Sequence, residues 1–168
     1  VGAGVVRNQR GEVLIAQRRE DQMLGGLWEF PGGKVHEHES IQACIERELS
    51  EEIGISVACT DFLVRIKHAY SHFSIDMKVY WATHVSGTPS PIVPQKIKWE
   101  AIDRLRAYPF SKADIKIIEA LEKSGVFTVD HSRSTKEKIE DGAYKPAFQN
   151  YDGVVINEGA GAMKWPRA

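Results

Sequence analysis

Cysteine is scarce in this chain. Cys44 and Cys59, the two in 168 residues, cannot build a Cys-rich zinc or iron–sulfur site, and their scarcity suits a reducing cytosol. A cytoplasmic location is therefore expected. Long apolar runs are missing too: none approaches the roughly 20 residues that a bilayer-spanning helix needs, so no membrane partner is expected. No secretory leader is visible. The chain begins at Val1, directly in a strand-like stretch, which suits either a trimmed chain or a piece of a longer parent. Charge of one sign is also lacking, with 22 Lys and Arg against 23 Asp and Glu and a pI of about 6.7. That balance excludes a broad electrostatic grip on duplex DNA, although not a local basic patch. Repeats and low-complexity tracts are absent.

What is present is an ordinary globular balance, 42% hydrophobic and 27% charged, in a chain of one-domain length that can bury a core without staples. Val1 to Val6 and Val13 to Ala16 read as strands joined by the polar turn Asn8-Gln9-Arg10-Gly11. Arg18 to Leu24 is charged and then loop-like, and Pro31-Gly32-Gly33 is expected to break any regular element. Ile41, Ile45, Leu49 and Ile53 recur every fourth residue, which predicts a helix over Ser40 to Ile53 with Ser40 as N-cap and Gly54 as stop. Ser56 to Lys67 and Phe73 to Val85 read as β-structure, Ser86 to Pro94 as a loop, Trp99 to Leu105 as a short strand and turn, and Lys112 to Lys123 as a second helix. Strands mixed with two helices point to a layered α+β or α/β domain. From Ser124 onward the character changes to a polar, charged stretch with scattered aromatics and one short strand candidate, Val154-Val155-Ile156. Residues 1–123 are thus expected to form the domain and 124–168 an extension with no assigned role.

The chemistry concentrates on the first helix. At 100° per residue, Glu48, Glu51 and Glu52 fall within an arc of roughly 100°, beside the apolar stripe rather than on a freely solvated face. Like charges held this close repel, and a divalent cation removes that repulsion. Hard oxygen ligands suit Mg2+, with Mn2+ as an alternative, bridging carboxylates to substrate phosphates. Arg47 is placed to fix neighbouring carboxylates through its planar fork, with Glu39 as its expected partner. A solvated acidic face is the bland explanation of three glutamates alone. It weakens once Pro31-Gly32-Gly33, Glu39, Arg47 and Gly54 are required at these spacings.

Gly33, Glu39, Arg47, Glu48, Leu49, Glu51, Glu52, Gly54 and Ile55 fill every defined position of G-x5-E-x7-R-E-U-x-E-E-x-G-U, with U aliphatic. The chain thereby resembles the Nudix hydrolases. The resemblance implies an α/β/α sandwich with a mixed β-sheet and a loop–helix–loop that binds metal through Glu48, Glu51 and Glu52. It also implies hydrolysis of a nucleoside diphosphate linked to another group, giving nucleoside monophosphate and pyrophosphate from a triphosphate. Glu48 and Glu51 both stand as candidate general bases, because helix spacing does not choose between them.

The flanks bear on the substrate. Gly4-Val5-Val6-Arg7-Asn8, Arg18, Leu27-Trp28-Glu29-Phe30-Pro31-Gly32-Gly33-Lys34 and Tyr108-Pro109-Phe110 with Ala113-Asp114 are similar to the MutT-type 8-oxo-dGTP diphosphatases. That resemblance implies Arg18, Phe30 and Asp114 around the purine, although the usual family member has Asn at the last position. Phe30 can pack on a base face, and a protonated Asp114 offers a donor and an acceptor to a guanine edge. Lys34 is a candidate phosphate contact. A second resemblance, carried by Leu24 to Lys34 and by Lys67-His68-Ala69-Tyr70-Ser71-His72-Phe73, is to the C-terminal domain of MutY-type adenine DNA glycosylases. There the Tyr70-Ser71-His72 position implies a loop reading 8-oxoguanine in DNA without hydrolysis. The intact glutamate set favours the enzyme, and DNA is a partner only under the second resemblance.

The expected substrate-binding set is Arg18, Phe30, Gly32, Gly33, Lys34, Tyr70, Ser71 and Asp114, and the expected catalytic set Glu39, Arg47, Glu48, Glu51 and Glu52. A monomer or weak dimer is expected. One departure stands out. Many Nudix enzymes carry a further carboxylate four residues before the Trp ahead of the last helix, and here that position is Gln95, an amide. Glu100 is close in sequence but should point to the opposite side of a strand.

Overall fold

The structure, a computed structural model, describes residues 1–125. Its centre is a mixed sheet of β1 (Gly2–Arg7), β2 (Val13–Gln17), β3 (Trp28–Glu29), β4 (Gly32–Gly33), β5 (Ser56–Ala69), β6 (Ser74–Ser86) and β7 (Lys96–Glu100). The backbone order is β3-β2-β1-β6-β5, with β4 also on β1 and β7 also on β2. β1 runs parallel to β6, whereas the β1–β2, β2–β3, β2–β7 and β5–β6 pairs are antiparallel.

Alternation along the inner strands divides the core into two layers. Val5, Val13, Ile15, Val79 and Trp81 face α2 (Lys112–Ser124) and the 3-10 turn Ile102–Ala107. Val6, Leu14, Val57 and Ala82 face Ile45, Leu49 and Ile53 of α1 (Ile41–Ile53). This is the expected α/β/α sandwich.

α1 begins and ends where its sequence directs. The Ser40 side chain accepts from Ala43 N at 3.0 Å, and Gly54 closes the helix at φ 76°, its N–H returning to the Leu49 and Ser50 carbonyls. The helix lies unusually close to β1 because the strand offers glycines beneath it. A Cβ at Gly4 would stand 2.8 Å from Ile45 Cγ2.

Two expectations need correcting. Pro31-Gly32-Gly33 does not only break structure, since Gly32 and Gly33 pair antiparallel with Ala3 and Gly2 as β4. Only glycine permits that approach: a Cβ at Gly32 would meet the Gly2 carbonyl oxygen at 2.0 Å. The region expected as strand and turn from Trp99 pairs earlier, from Lys96, because β7 continues along all of β2 before turning. The expected extension and its strand candidate at 154–156 lie outside the described residues from 126 onward. No helix among the described residues is long and apolar enough to cross a membrane.

Candidate active site

The loop from Gly33 to Glu39 and helix α1 are tied together by one guanidinium. Arg47 donates through Nε and Nη2 to both Glu39 oxygens, at 2.7 and 3.0 Å, which is the fork expected from the sequence. Nη1 donates to Glu48 at 2.9 Å and Glu51 at 3.1 Å, and Nη2 also to the Lys34 carbonyl at 3.1 Å. The Arg47 hydrogen bond, aided by the His36 backbone N–H, draws the Glu39 carboxyl down to about 2. Arg47 is in turn held firmly charged by Glu39. Glu39 is thus a buttress for Arg47.

The three helix glutamates do not form one cluster. Glu48 lies beneath Gly33, where an added Cβ would stand 2.5 Å from its carboxyl carbon. Glu52 is its neighbour: burial first, then the charge of Glu48 and a hydrogen bond shared with it, raise the Glu52 carboxyl to about 7. Glu51 projects outward, its side chain 59% exposed and paired with Arg47. Among the described residues no three His, Cys, Asp or Glu side chains converge as a ready ligand group.

These residues fit magnesium in its usual manner, with one or two carboxylates and the remaining positions left to water and phosphate. Glu48 and Glu52 are hard donors pressed together in a half-buried site, and their mutual repulsion is what a cation relieves. The bare Gly33 Cα leaves the space that the Glu48 oxygens occupy.

Asp114, in the first turn of α2, is 8% exposed. Its Oδ1 accepts from Phe30 N at 3.3 Å and its Oδ2 from Ser111 Oγ at 2.7 Å, while Ser111 Oγ caps the helix by accepting from Asp114 N at 3.3 Å. Burial raises the Asp114 carboxyl to about 7; the Ser111 hydrogen bond opposes this and the charge of Glu29 adds to it. Phe30 differs from expectation. Its ring is 3% exposed and stacked on Phe110 at 5.5 Å, so it packs in the core and only its backbone faces Asp114.

Arg18 donates through Nη1 to Glu29 at 2.9 Å and through Nε to the Met23 carbonyl at 2.7 Å. Lys34 is exposed, and its carbonyl rather than its amine is engaged in the site. The Tyr70 hydroxyl accepts from Ala113 N at 3.0 Å, satisfying an otherwise unpaired amide of the first turn of α2, and its ring stacks on Phe73. Ser71 and His72 are exposed at the tip of the β5–β6 hairpin. Gln95 donates to the Arg18 carbonyl at 2.8 Å and to Glu20 at 3.2 Å, so the amide clamps the loop after β2. Glu100 is buried beside the Tyr108 hydroxyl and Lys98.

Glu29 was not expected in the site. Its carboxylate is half-buried, acts electrostatically on both Glu52 and Asp114, and is itself raised by burial, with Arg18 opposing the shift. The signal was available in Trp28-Glu29-Phe30, where one charge sits between two large apolar residues in an extended stretch.

A sandwich carrying a glutamate pair beneath a glycine loop, with its arginine pinned by Glu39, defines a class, and the chain belongs to the Nudix family: residues 2–120 match the NUDIX domain. Nudix hydrolases are generally divalent-metal dependent. Within the family the chain is of the MutT type. It is 36% identical over 100 residues to the 8-oxo-dGTP diphosphatase of Buchnera aphidicola subsp. Acyrthosiphon pisum (strain APS), covering 60% of this chain and 81% of that protein. It is 33% identical over 110 residues to the CTP pyrophosphohydrolase of Escherichia coli (strain K12), covering 66% and 82%. The MutT protein from Methanosarcina mazei Go1 shares the fold, with a TM-score of 0.66 at 22% identity over 72% of this chain and 90% of that one.

Proposed function

We propose that this chain hydrolyses a nucleoside triphosphate, oxidised dGTP in particular, to nucleoside monophosphate and pyrophosphate with magnesium, and so cleanses a nucleotide pool. The observation that supports it most is that two chemistries stand within reach of one Arg18–Glu29 pair. Glu48, beneath Gly33, and its neighbour Glu52 suit a cation and phosphates, and the buried carboxyl of Asp114 suits a purine edge.

When bound, magnesium neutralises phosphate oxygens and polarises water. Glu48 and Glu52 would hold it, with Arg47 fixing the position of Glu48. Water attacks a phosphorus in line, the P–O bond on the far side breaks, and pyrophosphate leaves with the bonding electrons. The water's proton passes to a glutamate of α1; Glu48 and Glu51 are the candidates. Lys34 and Arg18 would supply positive charge to the nucleotide. Neutral Asp114 supplies one donor and one acceptor to an oxidised guanine, a pattern that its ionised form lacks.

The 8-oxo-dGTP diphosphatase and CTP pyrophosphohydrolase relatives set the panel to be tested. The wild-type chain is incubated with magnesium and 8-oxo-dGTP, dGTP, CTP and a diphosphate-linked nucleotide, and the products are identified. Release of pyrophosphate, fastest from 8-oxo-dGTP and lost in Glu52→Gln, is the expected result. Faster turnover of CTP would move the substrate assignment. Orthophosphate as the product, or turnover independent of magnesium, would overturn the reaction itself.

A further inference from the structure

The chemistry above gives Glu29 no task, yet its place in the fold is specific. It sits on β3 between Trp28 and Phe30, whose rings are buried in the α2-side core. Alternation therefore turns its carboxylate away from that core. From there its charge reaches Glu52 at the phosphate end of the cleft and Asp114 at the base end. A half-buried carboxylate near two others is electrostatically unfavourable, and nothing in the packing of β3 requires one.

What offsets this cost is Arg18. Side-chain exposures of 30% and 24% make the Arg18–Glu29 contact a partly desolvated pair rather than a solvated surface bridge. Arg18 Nη1 meets Glu29 at 2.9 Å and Nε meets the Met23 carbonyl at 2.7 Å. Two anchors on separate nitrogens fix the plane of a guanidinium whose long stem would otherwise sample many rotamers. Among the described residues Nη2 donates to no protein group, so one edge of the fork remains available. Arg18 acts electrostatically on both Glu52 and Asp114, which places that edge at the junction of the two ends. The arrangement is completed from below, where Gln95 holds the Arg18 carbonyl.

We propose that Glu29 is a positioning residue: it holds Arg18 between the glutamate pair and Asp114 so that the free guanidinium edge meets the nucleotide where its phosphates join the nucleoside. The inference rests on the nucleotide reading above and assigns Glu29 no contact with the reacting atoms.

The test uses Arg18→Ala, Glu29→Ala, Glu29→Gln and the Arg18→Ala/Glu29→Ala double variant of the full chain. Affinity for an α,β-imido analogue of dGTP and for 8-oxo-dGMP is measured by calorimetry with magnesium, alongside kcat, KM and melting temperature. Arg18→Ala and Glu29→Ala should each weaken binding roughly tenfold, the size of one charge-assisted hydrogen bond. The double variant should be no weaker than Arg18→Ala. Glu29→Gln keeps an oxygen for Nη1 and should recover most of the affinity, with KM moving more than kcat. Three results overturn the proposal: multiplying effects in the double variant, a lowered melting temperature with unchanged affinity, or a Glu29→Gln loss confined to kcat. A wild-type chain that binds both ligands with this pattern but releases no pyrophosphate refutes the hydrolase reading alone. Turnover with Arg18 and Glu29 acting independently refutes only the positioning role. A chain that binds neither ligand refutes both.

Discussion

On the proposed function, Asp114 ties stability and recognition to the same proton. Its ordinary carboxyl value is 3.8, and burial carries it to about 7 in the folded chain. Between those values the folded state binds a proton that the unfolded state has released, so stability falls as pH rises through the interval. The contribution is fully present below about pH 4 and lost above about pH 7. A rise of about 3 units corresponds to roughly 4 kcal/mol at most, because each unit is about 1.4 kcal/mol and local relaxation reduces the whole. Asp114→Asn keeps the size and one acceptor for Phe30 N while removing the titration. Urea unfolding at intervals from pH 4.5 to 8.5 should therefore give curves that start close together and separate, with the variant the more stable by about 2–4 kcal/mol at the alkaline end. Because the Glu52 carboxyl is also raised to about 7, it contributes with the same sign, and the difference between wild type and Asp114→Asn isolates the Asp114 part. The same protonation predicts that selectivity for 8-oxo-dGTP over dGTP declines as pH rises through about 7, since the ionised carboxyl only accepts. Parallel unfolding curves at all pH values would mean instead that Asp114 is ionised in the folded chain at little cost.

Other expectations follow from the same geometry. Glu52→Gln removes a repelled charge, so without metal the variant should be somewhat more stable than wild type at pH 8 while losing nearly all magnesium-dependent turnover; a destabilised variant would contradict the repulsion inferred between Glu48 and Glu52. Gly32→Ala and Gly33→Ala should fail differently. A methyl at Gly32 strikes the β1 backbone and should lower stability by about 1–3 kcal/mol or more, visible as a reduced melting temperature. A methyl at Gly33 strikes the movable end of Glu48, so activity should fall at least tenfold, roughly the loss of one charge-assisted contact, with little change in melting temperature. Arg47→Lys keeps the charge but cannot serve Glu39, Glu48 and Glu51 together; kcat should fall by roughly one to two orders of magnitude in a steady-state assay, the size of one or two charged hydrogen bonds.

The parts legible in the sequence were those governed by local periodicity. The fourfold spacing of Ile41, Ile45, Leu49 and Ile53, with Ser40 and Gly54 at its ends, sets a helix because caps and stripe depend only on near neighbours. The Arg47–Glu39 fork was equally readable, since both residues sit on one short loop–helix unit. The rest depended on long-range pairing. Gly32 and Gly33 read as breakers because their partners, Gly2 and Ala3, lie some thirty residues earlier and no local pattern announces them. The ring of Phe30 read as a base platform because its true neighbour, Phe110, arrives with the segment before α2. Glu51 grouped with Glu48 and Glu52 on a helical wheel, but a wheel records angle only; in the fold Glu52 meets Glu48 directly, whereas Glu51 is exposed and joined to Glu48 only through Arg47. Glu29 shows the same limit in reverse: its neighbours in sequence are apolar, and only β2–β3 pairing, which sets Ala16 against Glu29, brings Arg18 alongside. The helix and its loop thus encode the glutamate site locally, whereas the surroundings of Glu29 and Asp114 are assembled from β2, β3 and the start of α2 and become visible only when the sheet closes.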